Sequence, residues 1–87
     1  KLVTITHVDT STGVRAPVEP ITRAARAAGA LVVVDGVCSV GGEELPQEEW
    51  GVDVVLTGSQ KALGVPPGLA LVMAGPRALA AHRARRT

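Results

Sequence analysis

Apolar and polar positions along this chain fall into a rhythm of strand, helix, strand. Leu2 to Val8 is rich in β-branched residues and reads as a strand. Asp9-Thr10-Ser11-Thr12-Gly13 follows, a turn whose side-chain oxygens can bond the backbone locally. The next segment predicts a helix from Glu19 to Ala28. Pro20 is tolerated in its first turn, where no intrahelical N–H is required, and Gly29 stands where a C-terminal cap belongs. Ile21, Ala24, Ala25 and Ala28 recur at helical spacing and form its expected apolar face, with Arg23 and Arg26 pointing elsewhere. Ala30-Leu31-Val32-Val33-Val34 is then an uninterrupted apolar run closed by Asp35, the pattern of a strand covered on both faces. Strand, helix and strand in this order make a βαβ unit, with parallel strands and a right-handed crossover.

The second half continues in kind. A loop from Gly36 to Glu44 leads into Leu45-Pro46-Gln47-Glu48-Glu49-Trp50, long enough for one helical turn. Asp53-Val54-Val55-Leu56-Thr57 is a third strand closed by Gly58. Ser59-Gln60-Lys61 and the breaker-rich Gly64-Val65-Pro66-Pro67-Gly68 separate it from a fourth strand, Leu69 to Ala74, and a last helix over Pro76 to Arg85. The fold class is α/β, a mostly parallel sheet flanked by helices.

Composition sharpens this picture in three ways. There is no Phe or Tyr and Trp50 stands alone, so the core must be built from aliphatic side chains. A net charge of +1 points to neither a nucleic-acid partner nor a membrane surface, and no stretch is long and apolar enough to span a bilayer. Arg83, Arg85 and Arg86 read as a solvated helix end, where cations suit the macrodipole. Cys38 is the single cysteine, which excludes an intramolecular disulfide and fits a reducing, cytoplasmic compartment. No signal peptide opens the chain, which begins on a strand already under way and so reads as a piece of something longer.

Candidate chemistry gathers at the strand ends. Ligands of open α/β sheets bind beyond the carboxyl ends of the strands. Ser11 and Thr12 follow the first strand, Asp35 terminates the second, and Gln60 and Lys61 follow the third. An acid directly after four aliphatic residues is partly desolvated and needs a partner to keep its charge, although a turn aspartate would look the same. Lys61, taken singly, is indistinguishable from a surface lysine. His7 reads as a satisfied structural histidine, Cys38 as a small packing residue, Trp50 as a filler beneath the sheet and Gly41-Gly42 as a tight turn. No Gly-x-Gly-x-x-Gly or Walker-type lysine motif supports nucleotide binding.

Together the motifs are more specific. Thr6-His7-Val8-Asp9-Thr10-Ser11-Thr12-Gly13, Val34-Asp35-Gly36-Val37-Cys38-Ser39-Val40-Gly41-Gly42, Thr57-Gly58-Ser59-Gln60-Lys61-Ala62-Leu63 and Pro66-Pro67-Gly68 resemble, in order and spacing, the class V aminotransferases. The serine–pyruvate and alanine–glyoxylate branch is the nearest in wording. The resemblance covers nearly the whole chain and implies part of the fold type I large domain, with residues 1–87 lacking a complete second domain. It implies pyridoxal 5'-phosphate as cofactor, joined to Lys61 as a Schiff base, with Asp35 pairing with the ring nitrogen. It further implies a hydrogen bond from Ser11 to the cofactor and a contact of Gln60 near the phosphate. The expected reaction moves an amino group from a small amino acid to a 2-oxo acid such as glyoxylate or pyruvate, in a homodimeric parent. A phosphonate or ureidoglycine–glyoxylate transaminase, and a catalytically incompetent truncated fragment, remain the alternatives. In this family a phosphate-binding loop lies upstream and a carboxylate-binding arginine downstream, so the 87 residues alone are not expected to be a competent enzyme.

Overall fold

The computed structural model describes residues 1–86. Its elements are β1 (Leu2–Thr6), α1 (Val18–Ala27), β2 (Leu31–Asp35), α2 (Gln47–Trp50), β3 (Val54–Gly58), β4 (Ala70–Ala74) and α3 (Pro76–Ala84). The four strands form one sheet in the order β1-β2-β3-β4. β1 and β2 run parallel from Leu2 opposite Leu31 to Thr6 opposite Asp35, and β2 and β3 run parallel from Val33 opposite Val54 to Asp35 opposite Leu56. β4 lies antiparallel to β3 because a loop, not a helix, joins them and the chain turns straight back. The three parallel strands therefore present their carboxyl ends along one edge.

Side chains alternate across the sheet, and one face carries the core. Ile5, Val18, Val32, Val34, Val52 and Val55 are buried together, with Val3, Ala25, Val40, Leu45, Trp50 and Met73 packed against them. Valine dominates, as the aromatic-poor composition requires; full burial of each such side chain stabilises the fold by roughly 1.5–3 kcal/mol. On the other face Leu31, Val33, Val54 and Leu56 are only half-buried, and Val72 is exposed.

The inward face of α1 differs from the periodicity expected. Val18 and Thr22 are buried and Ala25 is half-buried, whereas Ile21, Ala24 and Ala28 are exposed. The helix starts at Val18, one residue earlier than its apolar run suggests. Val18 packs into the core and so sets the rotation, bringing positions 18, 22 and 25 inward at helical spacing. Pro20 lies in the first turn, where its missing N–H is harmless. β1 ends at Thr6 rather than Val8, although the His7 N–H still donates to the Asp35 carbonyl at 3.0 Å and continues the ladder by one bond.

The amino-terminal edge of the sheet is fastened by Asp53, just before β3. Its carboxylate is buried; Oδ2 accepts the Val32 N–H at 2.8 Å, and Oδ1 faces Arg26 Nη1 at 3.4 Å and Arg77 Nη1 at 3.6 Å. Arg26 also donates to the Gly51 carbonyl at 2.9 Å, and Arg77 to the Ala30 carbonyl at 3.0 Å. One acid thus ties α1, β2 and α3 to the start of β3. Among the described residues no helix is long and apolar enough to cross a membrane.

Candidate active site

The carboxyl edge is built by three loops, one after each parallel strand, and each is held by its own local bonding. After β1, Asp9 organises the turn: its Oδ2 accepts the Thr12 N–H and the Thr12 hydroxyl, each at 2.8 Å. These two bonds, the hydroxyl's foremost, hold the Asp9 carboxyl below its ordinary range. Gly13 has φ +71°, a left-handed conformation that lets the turn close.

After β2, Asp35 accepts the Val37 N–H on Oδ1 at 2.9 Å. Its other oxygen takes no hydrogen bond among the described residues, and the residue is half-buried. Gly36 lies where a side chain would strike Val40 Cγ2 at 2.6 Å and crowd the Leu56 carbonyl at 3.3 Å. Its own N–H donates to that carbonyl at 2.8 Å, and the Thr57 hydroxyl donates to the Gly36 carbonyl at 3.2 Å, so the turn is pinned to β3.

After β3, Ser59 is buried and closes the lysine loop. Its hydroxyl donates to the Pro66 carbonyl at 2.7 Å, while its backbone carbonyl accepts the Val65 N–H at 3.1 Å. Lys61 begins a turn in which its carbonyl accepts the Gly64 N–H at 2.9 Å. Gly41, at φ +94°, brings the Asp35 loop against Ala62 and Leu63 of the lysine loop. The glycine pair is thus a turn, as its sequence suggests, and also the place where two site loops touch.

These loops bring Lys61 into a compact triad with Thr10, which nothing in the sequence singles out, and with Cys38, which is a polar partner of the lysine and not only the small packing residue expected. Lys61 Nζ donates to Cys38 Sγ at 3.0 Å and to the Thr10 hydroxyl at 3.2 Å, and Thr10 Oγ1 and Cys38 Sγ share a hydrogen at 2.9 Å. The hydroxyl beside Lys61 belongs to Thr10; Ser11 lies one residue further along the same exposed turn. Cys38 is half-buried, and its thiol is held below its ordinary range, first by the hydrogen bond from Lys61 and then by Thr10, against the opposing effects of burial and Asp35. Gln60 is exposed and curls back, its Oε1 lying 2.8 Å from where a Gly58 side chain would start. The signal for Thr10 and Cys38 was their position within the motifs that flank strand ends; only loop closure shows which of them meets the lysine.

His7 is structural in position but not satisfied. It is 1% exposed and meets Trp50 edge-on at 6.0 Å, yet its Nδ1 has no partner. Burial, and secondarily Arg15, lower its affinity for a proton, with Glu43 opposing.

An open sheet with a primary amine, a carboxylate and a hydroxyl along the carboxyl edge of its parallel strands defines a class of α/β proteins that bind ligands at that edge. The chain belongs to the class-V aminotransferase family, whose pattern matches residues 1–84. It is 49% identical over 84 residues to a protein named soluble hydrogenase, small subunit, from a Synechococcus species, covering 95% of this chain and 22% of that protein. It is 46% identical over 83 residues to the L-aspartate–glyoxylate aminotransferase of Paracoccus denitrificans, covering 93% of this chain and 21% of that enzyme. The crystal structure of an alanine–glyoxylate aminotransferase from Nostoc superposes with a TM-score of 0.93 at 38% identity, over 99% of this chain and 23% of that one. The chain therefore spans about a fifth of the length of its relatives.

The residues present fit the pyridoxal phosphate that this family implies. The fit rests on the donor set: a lysine amine free of carboxylate partners among the described residues, and a carboxylate with one oxygen unengaged on the same sheet edge.

Proposed function

We propose that the protein carrying this chain is a pyridoxal-phosphate-dependent transaminase, moving an amino group from a small amino acid such as alanine or serine to a 2-oxo acid such as glyoxylate or pyruvate. The observation that carries this reading is the convergence of Lys61, Thr10 and Asp35 at the carboxyl ends of three parallel strands in a chain of this family. Bound there, the cofactor supplies an electron sink for the carbanion formed at the substrate's α-carbon.

Each residue has a task set by its chemistry. Lys61 would hold the cofactor covalently and, when free, its Nζ would carry a proton to and from the substrate. Asp35 offers its free oxygen to the pyridine nitrogen; a carboxylate keeps a proton on that nitrogen, which a neutral amide cannot do. Ser11, on the turn after β1, and Gln60, immediately before Lys61 in the chain, are further cofactor contacts in this reading. The active protein is a cytoplasmic homodimer in this reading.

The test is an absorbance spectrum of the purified protein with pyridoxal phosphate, before and after borohydride reduction, in wild type and Lys61→Ala. A near-visible band that reduction traps as an adduct at Lys61, and that Lys61→Ala loses, supports the reading. Equal labelling of wild type and variant, scattered over surface amines, overturns it.

A further inference from the structure

Lys61 has an immediate neighbour with no role in the cofactor reading. Salt bridges elsewhere in the described chain join arginines to Glu19, Glu43 and Asp53, but Lys61 has no carboxylate partner among the described residues. Its partners are a sulfur and a hydroxyl, at 3.0 and 3.2 Å, and these two also bond each other. A thiolate is a far better acceptor for an ammonium than a thiol is, so the contact of Nζ with Sγ favours the charged form of the sulfur. The charged groups that act on the sulfur are Lys61, which favours the thiolate, and Asp35 at the end of β2, which opposes it. The three atoms come from the loops after β1, β2 and β3, so the triangle also ties together the three loops of the site.

We propose that Cys38 is a positioning residue for Lys61, whose sulfur accepts from Nζ and, with the Thr10 hydroxyl, holds it at the carboxyl edge until a ligand takes it. The inference rests on the cofactor reading above for its purpose, but not for its geometry. The pairing is reciprocal: what the ammonium does to stabilise the thiolate, the thiolate does to hold the ammonium in place.

The experiment follows alkylation of Cys38 by iodoacetamide in the cofactor-free protein, mapped to its peptide by mass spectrometry, as a function of pH. Lys61→Met should slow alkylation at pH 7 by about fivefold, because only the thiolate reacts and its stabilising cation is gone. Lys61→Arg should restore the rate to within about twofold of wild type by returning the charge. Lys61 is exposed, so these variants leave the core intact, and an unchanged far-ultraviolet circular dichroism spectrum checks this. An alkylation profile identical in wild type and Lys61→Met overturns the proposal. In the second arm, borohydride-trapped attachment of pyridoxal phosphate at Lys61 is timed in wild type and Cys38→Ala. Because the pairing is reciprocal, Cys38→Ala should release Nζ and speed attachment by about threefold or more. A rate equal to or below that of wild type overturns the pairing. If no protein attaches the cofactor while alkylation still depends on Lys61, the pair stands and the cofactor reading falls.

Discussion

Two aspartates stand at opposite ends of the same sheet and have opposite fates. Asp53, at the amino edge, is 3% exposed and saturated: a backbone N–H occupies one oxygen and two guanidiniums face the other. Asp35, at the carboxyl edge, is half-buried and spends one oxygen on the Val37 N–H of its own turn. The first is closed to any ligand and can only hold the fold together. The second keeps bonding capacity in reserve, which costs stability nothing while water reaches it and becomes useful when a ligand with a donor arrives. Saturation against reserve, more clearly than burial, separates an acid that only holds the fold from one that can still take a ligand.

The largest effect should come from emptying the closed site. Asp53→Ala leaves the Val32 N–H buried without an acceptor and removes the charge that Arg26 and Arg77 share, so it should destabilise the protein by about 3 kcal/mol. Urea denaturation followed by circular dichroism measures this; a loss under about 1 kcal/mol would show that the saturated cluster is not a structural clamp. Asp53→Asn is milder. The amide oxygen can still accept from Val32, and only the charge facing two half-exposed arginines is lost, so about 1.5 kcal/mol is expected by the same measurement.

The carboxyl edge contributes a different dependence, through His7. Its proton affinity is lowered by burial, so the unfolded chain binds the proton more readily than the folded one. The stability due to neutral His7 is therefore fully present above its unfolded value near 6.5 and is lost as pH falls through the lower folded value. Urea midpoints should decline below pH 6.5 in wild type, and the decline should flatten in His7→Gln. A slope unaltered by the substitution would place the titrating group elsewhere.

How much of this contrast the sequence shows depends on the kind of interaction. Apolar runs locate all four strands, because a buried strand needs them, and the residues after those runs locate Asp35 and Lys61. The rotation of α1 is not legible from Ile21, Ala24 and Ala28, because the residue that fixes it, Val18, lies before the apolar run. The meeting of Thr10 and Cys38 with Lys61 is not legible in the sequence, where Cys38 reads as a packing residue, because it depends on three loops closing over one another, a relation between residues 23 and 51 positions apart. Asp53 looks in sequence like any residue at a strand start; its two arginines arrive from α1 and α3, distant in the chain.

The smallest effect on stability should be the most informative about function. Asp35→Asn keeps an acceptor for the Val37 N–H and buries no new polar group, so its urea midpoint should correspond to a change within about 0.5 kcal/mol of wild type. The same exchange of carboxylate for amide thus costs about three times more at the amino edge than at the carboxyl edge. Cofactor binding should respond in the reverse order. If the proposed reading holds, Asp35→Asn removes the charge that would face the pyridine nitrogen and should weaken pyridoxal phosphate binding, titrated by absorbance, by about tenfold or more, a loss of at least 1.4 kcal/mol. Asp53→Asn, at the far edge of the sheet, should leave that titration unchanged. If instead both variants bind the cofactor equally well and Asp35→Asn unfolds as easily as Asp53→Asn, the free oxygen of Asp35 is not a reserve for a ligand, and the two ends of the sheet are alike after all.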